Sequence, residues 1–216
     1  MSYAIIKNGQ SVSFPDADAF HASASSIQGA DIVIYSGVAL KPDRTKAAIL
    51  VELGDECLAE HLSNIDDSDQ ANILGFARYR NGQDLPSGLV EVVRQPNTSE
   101  AAIAAATKLF ESAGLQVAIS ADQIGRIINR LVLPKYNAAL RFLDEGLASQ
   151  ADMDLTCKLG LGYPDGPIER VLRGGLEHHH RATKALFDTY GTPSYAPPRR
   201  AIVASNRAQA NNDQRR

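Results

Sequence analysis

Gly125 to Pro167 reads GRIINRLVLPKYNAALRFLDEGLASQADMDLTCKLGLGYPDGP. Starting from Ile124 just ahead of it, the apolar residues Ile127, Ile128, Leu131, Val132, Ala139, Leu140 and Leu143 recur at helical spacing. Gly146 stops this first helix. Pro134 falls inside it and predicts a kink or a break, because a mid-helix proline loses its backbone donor at a cost of ~3 kcal/mol or more. Gln150 to Gly160 reads as a second helix, Pro164-Asp165-Gly166-Pro167 as a tight loop, and Ile168 to Tyr190 as one or two further helices. After Ala204 the sequence SNRAQANNDQRR has no apolar anchors, which predicts a disordered tail.

Upstream of this stretch the pattern changes. Tyr3–Lys7 (YAIIK), Asp31–Tyr35 (DIVIY), Asn72–Phe76, Leu89–Val93 (LVEVV) and Leu115–Ile119 (LQVAI) are short β-rich runs. Asp43 to Leu58 reads as a helix, with Ala47, Leu50, Val51 and Leu58 near one face. A second helix runs from Thr98, read as its cap, through Ala113 to the stop at Gly114. Such alternation predicts an α/β layer with a mainly parallel sheet. The expected organisation is an α/β domain over residues 1–120, a helical domain over 121–203 and a disordered tail over 204–216.

Composition narrows the function classes. The 216 residues are 44% hydrophobic and 22% charged with a net charge of −3, so a core can form and no global basic field attracts nucleic acid. No apolar run approaches the ~20 residues that span a bilayer. No charged segment followed by a long apolar stretch opens the chain, so no secretory signal is expected. Cys57 and Cys157 stand far apart without a CxxC partner, which fits two reduced thiols in a cytoplasmic protein. His178-His179-His180 suggests metal, but consecutive helical residues point about 100° apart and cannot converge on one ion. They read as polar residues beside a helix-packing surface, and no metal is expected.

In the helical half, Ile127-Ile128-Asn129-Arg130, Glu145–Ser149 (EGLAS), Lys158–Pro167 (KLGLGYPDGP) and Gly191–Pro198 (GTPSYAPP) follow one another in order. Together they resemble the C-terminal domain of 3-hydroxyacyl-CoA dehydrogenases. Further upstream, LVEVVRQPNTSE and GADIVIYSGVA are similar to that family's nucleotide-binding domain. The resemblance implies a Rossmann-like α/β domain followed by an all-α domain of the 6-phosphogluconate-dehydrogenase C-terminal type. It also implies NAD as cofactor, an acyl-CoA substrate and two-fold pairing through the helical domain.

Carried over residue by residue, the resemblance puts Glu91 at the family's catalytic glutamate. It puts Asn129 at an asparagine that contacts substrate near the reacting carbon. A glutamate in an alternating strand equally suits a solvent face, and an asparagine on an amphipathic helix is often polar surface. The family's histidine, which takes the hydroxyl proton as hydride leaves, falls on Ala77 in Gly75-Phe76-Ala77-Arg78-Tyr79-Arg80-Asn81. Alanine moves no proton, and the neighbouring arginines stay charged. The Gly-rich turn G-x-G-x-x-G, which brings backbone amides to a pyrophosphate, is also missing. Asn8, Gly9, Gln10 and Ser11 follow the first strand. The α/β half is thus expected to be a shortened, degenerate Rossmann-like unit, as in the second half of two-module 3-hydroxybutyryl-CoA dehydrogenases. Two functions remain open: a dehydrogenase, or a non-catalytic module that binds acyl-CoA or pairs with a full-length dehydrogenase.

Overall fold

The computed structural model describes residues 1–214. The chain forms two compact units. One comprises Met1–Arg80 and Pro86–Arg126; the other comprises Asn81–Leu85 and the chain from Ile127 onward. The boundary lies after Arg126 rather than at residue 120, because the turn that follows the last strand folds back onto the sheet.

The first unit is a six-stranded sheet of β1 (Tyr3–Lys7), β2 (Ile32–Ser36), β3 (Ala48–Glu52), β4 (Ile73–Arg78), β5 (Leu89–Arg94) and β6 (Gln116–Ala121), in that spatial order. All neighbours are parallel except β4 and β5. One face carries Ile32, Ile34, Leu50, Leu74, Phe76, Val90 and Val92, packed under Phe14, Phe20 and helix α3 (Glu100–Ser112). The short α1 (Ala19–Ala22) supplies Phe20. The other face carries Val33, Tyr35, Ile49, Val51, Ile73 and Val93 with α2 (Leu58–Leu62).

Two readings of this half are corrected. The helix expected over residues 43–58 is β3, a turn and α2. Ala48–Val51 is an unbroken apolar run buried on both faces, which is the signature of a central parallel strand, and a short run of this kind carries no periodicity to separate it from a helix. The cap of α3 is Ser99, whose hydroxyl accepts from the Ala102 amide at 3.2 Å. Thr98 instead accepts from the Gln95 amide at 2.9 Å.

The second unit is helical: α4 (Ile128–Asp144), α5 (Gln150–Leu161), α6 (Pro167–Gly174), α7 (Leu176–Tyr190) and α8 (Arg199–Asp213). Helix α4 runs through Pro134 as one element. Only one backbone bond is forfeited, and buried Leu133, Tyr136 and Leu140 on either side hold the helix in place. The disordered tail expected from residue 204 is helical as far as Asp213. Helix α8 is alanine-rich, buries Ala201 and is tied to α4 by an ion pair between Arg200 and Asp144. Arg215 and Arg216 lie outside the described residues. Among the described residues no helix is long and apolar enough to cross a membrane.

Candidate functional site

Ala77 on β4 stands directly opposite Glu91 on β5 in the antiparallel ladder. Side chains so paired share one face of the sheet, with Cβ atoms ~5 Å apart. Glu91 is 3% exposed, so the solvent-face reading does not hold. A histidine at position 77 would have stood beside this carboxylate; alanine, 4% exposed, leaves it none.

A different cation reaches Glu91. The Nε of Arg126 lies 3.5 Å from Glu91 Oε2, with both side chains at least nine-tenths buried. Gly125 (φ 76°) and Arg126 (φ 47°) form a left-handed turn after β6, which returns the arginine over the sheet. For a non-glycine residue that conformation costs about 1–2 kcal/mol. Arg126 Nη2 donates to the Gly54 carbonyl at 3.0 Å. Sequence reasoning passed over Arg126; the only available signal was its position directly after a glycine at a strand-to-helix junction. A guanidinium stays charged at any useful pH and cannot exchange protons as an imidazole does.

Asn129 belongs to the helical unit, in the first turn of α4. It is half-buried and has no side-chain hydrogen-bond partner among the described residues. Cys57 caps α2, and burial, followed by Asp122 and Glu60, pushes its thiol pKa up, away from a nucleophilic thiolate.

A dinucleotide in a doubly wound fold lies outside the carboxyl ends of the parallel strands, with its pyrophosphate on a helix N-terminus. Here Glu52 ends β3, and its carboxylate accepts the Ser11 hydroxyl at 2.8 Å, the Ser13 amide at 2.7 Å and the Ser36 hydroxyl. Residues 11–13 therefore lie across the strand ends, anchored on a negative charge that repels phosphate. The α-helix that follows β1, α1, is only four residues long, starts at Ala19, and has the Phe20 amide at its N-terminus already taken by the Asp18 carboxylate. At the start of α2, the Leu58 and Ala59 amides both bind the Asp122 carboxylate, each at 2.8 Å. The residues of this unit do not fit NAD.

Two motifs of the helical unit, the loop ending in Pro167 and GTPSYAPP, serve packing. The Asp154 carboxylate caps α6, accepting from the Ile168 and Glu169 amides at 2.9 and 3.1 Å. A Cβ at Gly166 would collide with it, which explains that glycine. Asn137, fully buried, donates to Thr183 Oγ1 at 2.7 Å and to the Ser194 carbonyl at 2.9 Å. Thr183 in turn donates to the Tyr195 carbonyl at 2.8 Å, and this network seats the GTPSYAPP segment. Asn137 Oδ1 is left to accept from His179 Nε2 at 2.8 Å. Burial, then the charges of His178 and His180, lowers the His179 pKa to about 4. Of the three histidines, His179 is the buried one, and among the described residues no group of three or more side chains is placed to hold a metal ion.

Residues 125–215 match the family described as "3-hydroxyacyl-CoA dehydrogenase, C-terminal domain". Mitochondrial hydroxyacyl-coenzyme A dehydrogenase of Sus scrofa is 30% identical over 177 residues, covering 77% of this chain and 54% of its own length. A 3-hydroxybutyryl-CoA dehydrogenase of Mycobacterium tuberculosis is 34% identical over 128 residues, covering 58% of this chain and 44% of its own. The chain thus spans about half the length of the curated relatives it matches. Among solved structures, (S)-3-hydroxybutyryl-CoA dehydrogenase PaaH1 from Ralstonia eutropha superposes with a TM-score of 0.71 at 22% identity, covering 88% of this chain and 69% of that one. The Escherichia coli 3-hydroxybutyryl-CoA dehydrogenase gives 0.70 at 22% identity, covering 81% and 39%. At such identity these two likenesses speak to fold.

Proposed function

The chain belongs to the 3-hydroxyacyl-CoA dehydrogenase family, and from that premise we propose that it serves acyl-CoA metabolism in the cytoplasm without performing the family's hydride transfer through its own residues. In this reading it binds an acyl-CoA or pairs, as a homodimer or with a full-length dehydrogenase, through its helical unit. One observation carries the proposal: Glu91 faces Ala77 and pairs with Arg126 where the family resemblance calls for a histidine. The pair Glu91–Arg126 has a carboxylate and a fixed cation but no group that cycles a proton near neutral pH. The serine-bound Glu52 at the strand ends supports the same reading, because its carboxylate stands where a dinucleotide phosphate would have to approach.

The pairing surface is supplied by large apolar side chains left in water on the helical unit. Leu131, Leu147, Leu155, Leu159 and Leu161 are each more than half exposed. An exposed apolar set of this kind on a soluble domain marks an interaction face. Asn129, with its amide uncommitted, is the residue proposed to contact the acyl-CoA. Separate titrations with NADH and with acetoacetyl-CoA test the proposal. Acetoacetyl-CoA binding that Asn129→Ala weakens, without NADH binding, supports it. Micromolar NADH affinity returns the chain to the dehydrogenases.

A further inference from the structure

On the α3 face of the sheet, the layer above β1 to β4 is made by α3 and the segment from Phe14 to Ser23. Between them lies a cavity of about 500 Å³, a volume usual for small-molecule sites. Its wall is aromatic. Phe14 stacks on Phe20 with centroids 4.0 Å apart, and Tyr3 stacks on Phe20 at 4.6 Å. Leu109 of α3 closes the other side.

The polar end is Arg78, at the close of β4. Its side chain is 9% exposed, and its guanidinium carbon stands 5.0 Å from the centre of the Phe14 ring. Nε donates to the Ser87 carbonyl at 2.9 Å, and Nη1 donates to the Ser13 carbonyl at 2.9 Å and to Asp18 Oδ2 at 3.1 Å. Nη2 has no acceptor among the described residues, yet Arg78 lines the cavity. Asp18 is fully engaged, because its other oxygen accepts the Phe20 amide at 2.9 Å. The Tyr3 hydroxyl is spent on the Phe20 carbonyl. What this end lacks is an acceptor for Nη2 alone, and a guanidinium N–H is bound most strongly by a carboxylate oxygen.

We infer that the α/β unit carries a second ligand site, a cavity between α3 and the Phe14–Ser23 segment that takes a small carboxylic acid with an apolar body, its carboxylate on Arg78 Nη2 and its body against Phe14 and Phe20. The site is independent of the acyl-CoA proposal and needs no cofactor.

The probes are benzoate and hexanoate, with benzyl alcohol and hexanol as their neutral counterparts, titrated into the intact chain and followed by amide NMR shifts. The acids shift the amides of residues 14–20 and bind at least tenfold tighter than the alcohols. Arg78→Gln removes that preference for the acid. Arg78 also anchors the 13–18 segment, so a second variant guards against loss of folding. Ser112→Trp, at an exposed position on the cavity lining, fills the space and abolishes binding of acids and alcohols alike with the thermal midpoint unchanged. Equal binding of acids and alcohols, acid binding that survives Ser112→Trp, or no acid binding tighter than about 10 mM would each overturn the inference.

Discussion

Arg126 and Glu91 form a buried ion pair, 3.5 Å between Nε and Oε2, on the sheet position where Ala77 faces Glu91 across the antiparallel ladder. The pair sets the chemistry of this face. It sets a guanidinium beside a carboxylate that is 3% exposed, in ion-pair contact rather than through a hydrogen bond from Nε.

Removing the arginine takes its positive charge away from the buried Glu91 carboxylate. Arg126→Met is expected to lower stability by about 3–5 kcal/mol. Adding Glu91→Leu to that variant should return most of the loss, since a buried pair and an apolar replacement of similar volume are close in energy. Urea denaturation of both variants checks this. A double variant no more stable than Arg126→Met would contradict the pairing.

The Glu52 anchor predicts a local effect. Glu52→Gln weakens charge-assisted hydrogen bonds to Ser11, Ser13 and Ser36 and should cost about 1–3 kcal/mol. It should also raise hydrogen exchange in residues 8–14 above that in β3. Unchanged exchange in that segment would show that Glu52 does not hold it.

His179 gives a pH dependence. Its folded pKa, about 4, lies below the ordinary value of 6.5 because the ring is buried. Above pH 6.5 both folded and unfolded forms are neutral and the group has no effect. As pH falls from 6.5 towards 4 the unfolded chain takes the proton first, so stability drops by about 3 kcal/mol in all. His179→Gln should abolish this part of the acid-side slope in denaturant midpoints measured from pH 7 to pH 4. A variant with the wild-type slope would place the ring's titration elsewhere.

The helical unit is expected to pair. Light scattering at micromolar concentration should give a homodimer, and Leu159→Glu, at a position 79% exposed, should weaken it without unfolding the protomer. A wild-type monomer would contradict the assignment of that face.

Much of this fold is legible in the sequence, for particular reasons. β1, β5 and the helices from α4 to α7 announce themselves through alternation, glycine stops and helical spacing. β3 does not, since Ala48–Val51 is buried on both sides and carries no period. α8 is hidden for the opposite reason: its stability comes from Ala201 packing and the Arg200–Asp144 pair, neither of which appears as an apolar pattern. At the candidate site, Glu91 and Ala77 are readable through the family resemblance, and the antiparallel register brings them together. Arg126 lies 35 residues along the chain from Glu91, and the Gly125–Arg126 turn that joins them follows no local rule. The Asn137–His179–Thr183 network was invisible because it joins three separate segments.

Restoring one missing residue should not restore chemistry. Ala77→His would place an imidazole beside Glu91, and a general base is worth ~10²–10⁴ in rate. Arg126 already stands 3.5 Å from that carboxylate, and the proposal assigns this chain no dinucleotide site. Ala77→His should therefore show no NADH-dependent reduction of acetoacetyl-CoA; measurable turnover by this variant would mean that the dinucleotide site is intact.

The most direct measurement follows NADH absorbance with acetoacetyl-CoA and the wild-type chain, purified free of host dehydrogenases. The account predicts no change above the protein-free rate, alongside NADH affinity weaker than ~1 mM, worth only about 4 kcal/mol. Wild-type turnover that Glu91→Gln abolishes would contradict it, and would show that Glu91 works in a living site despite Ala77.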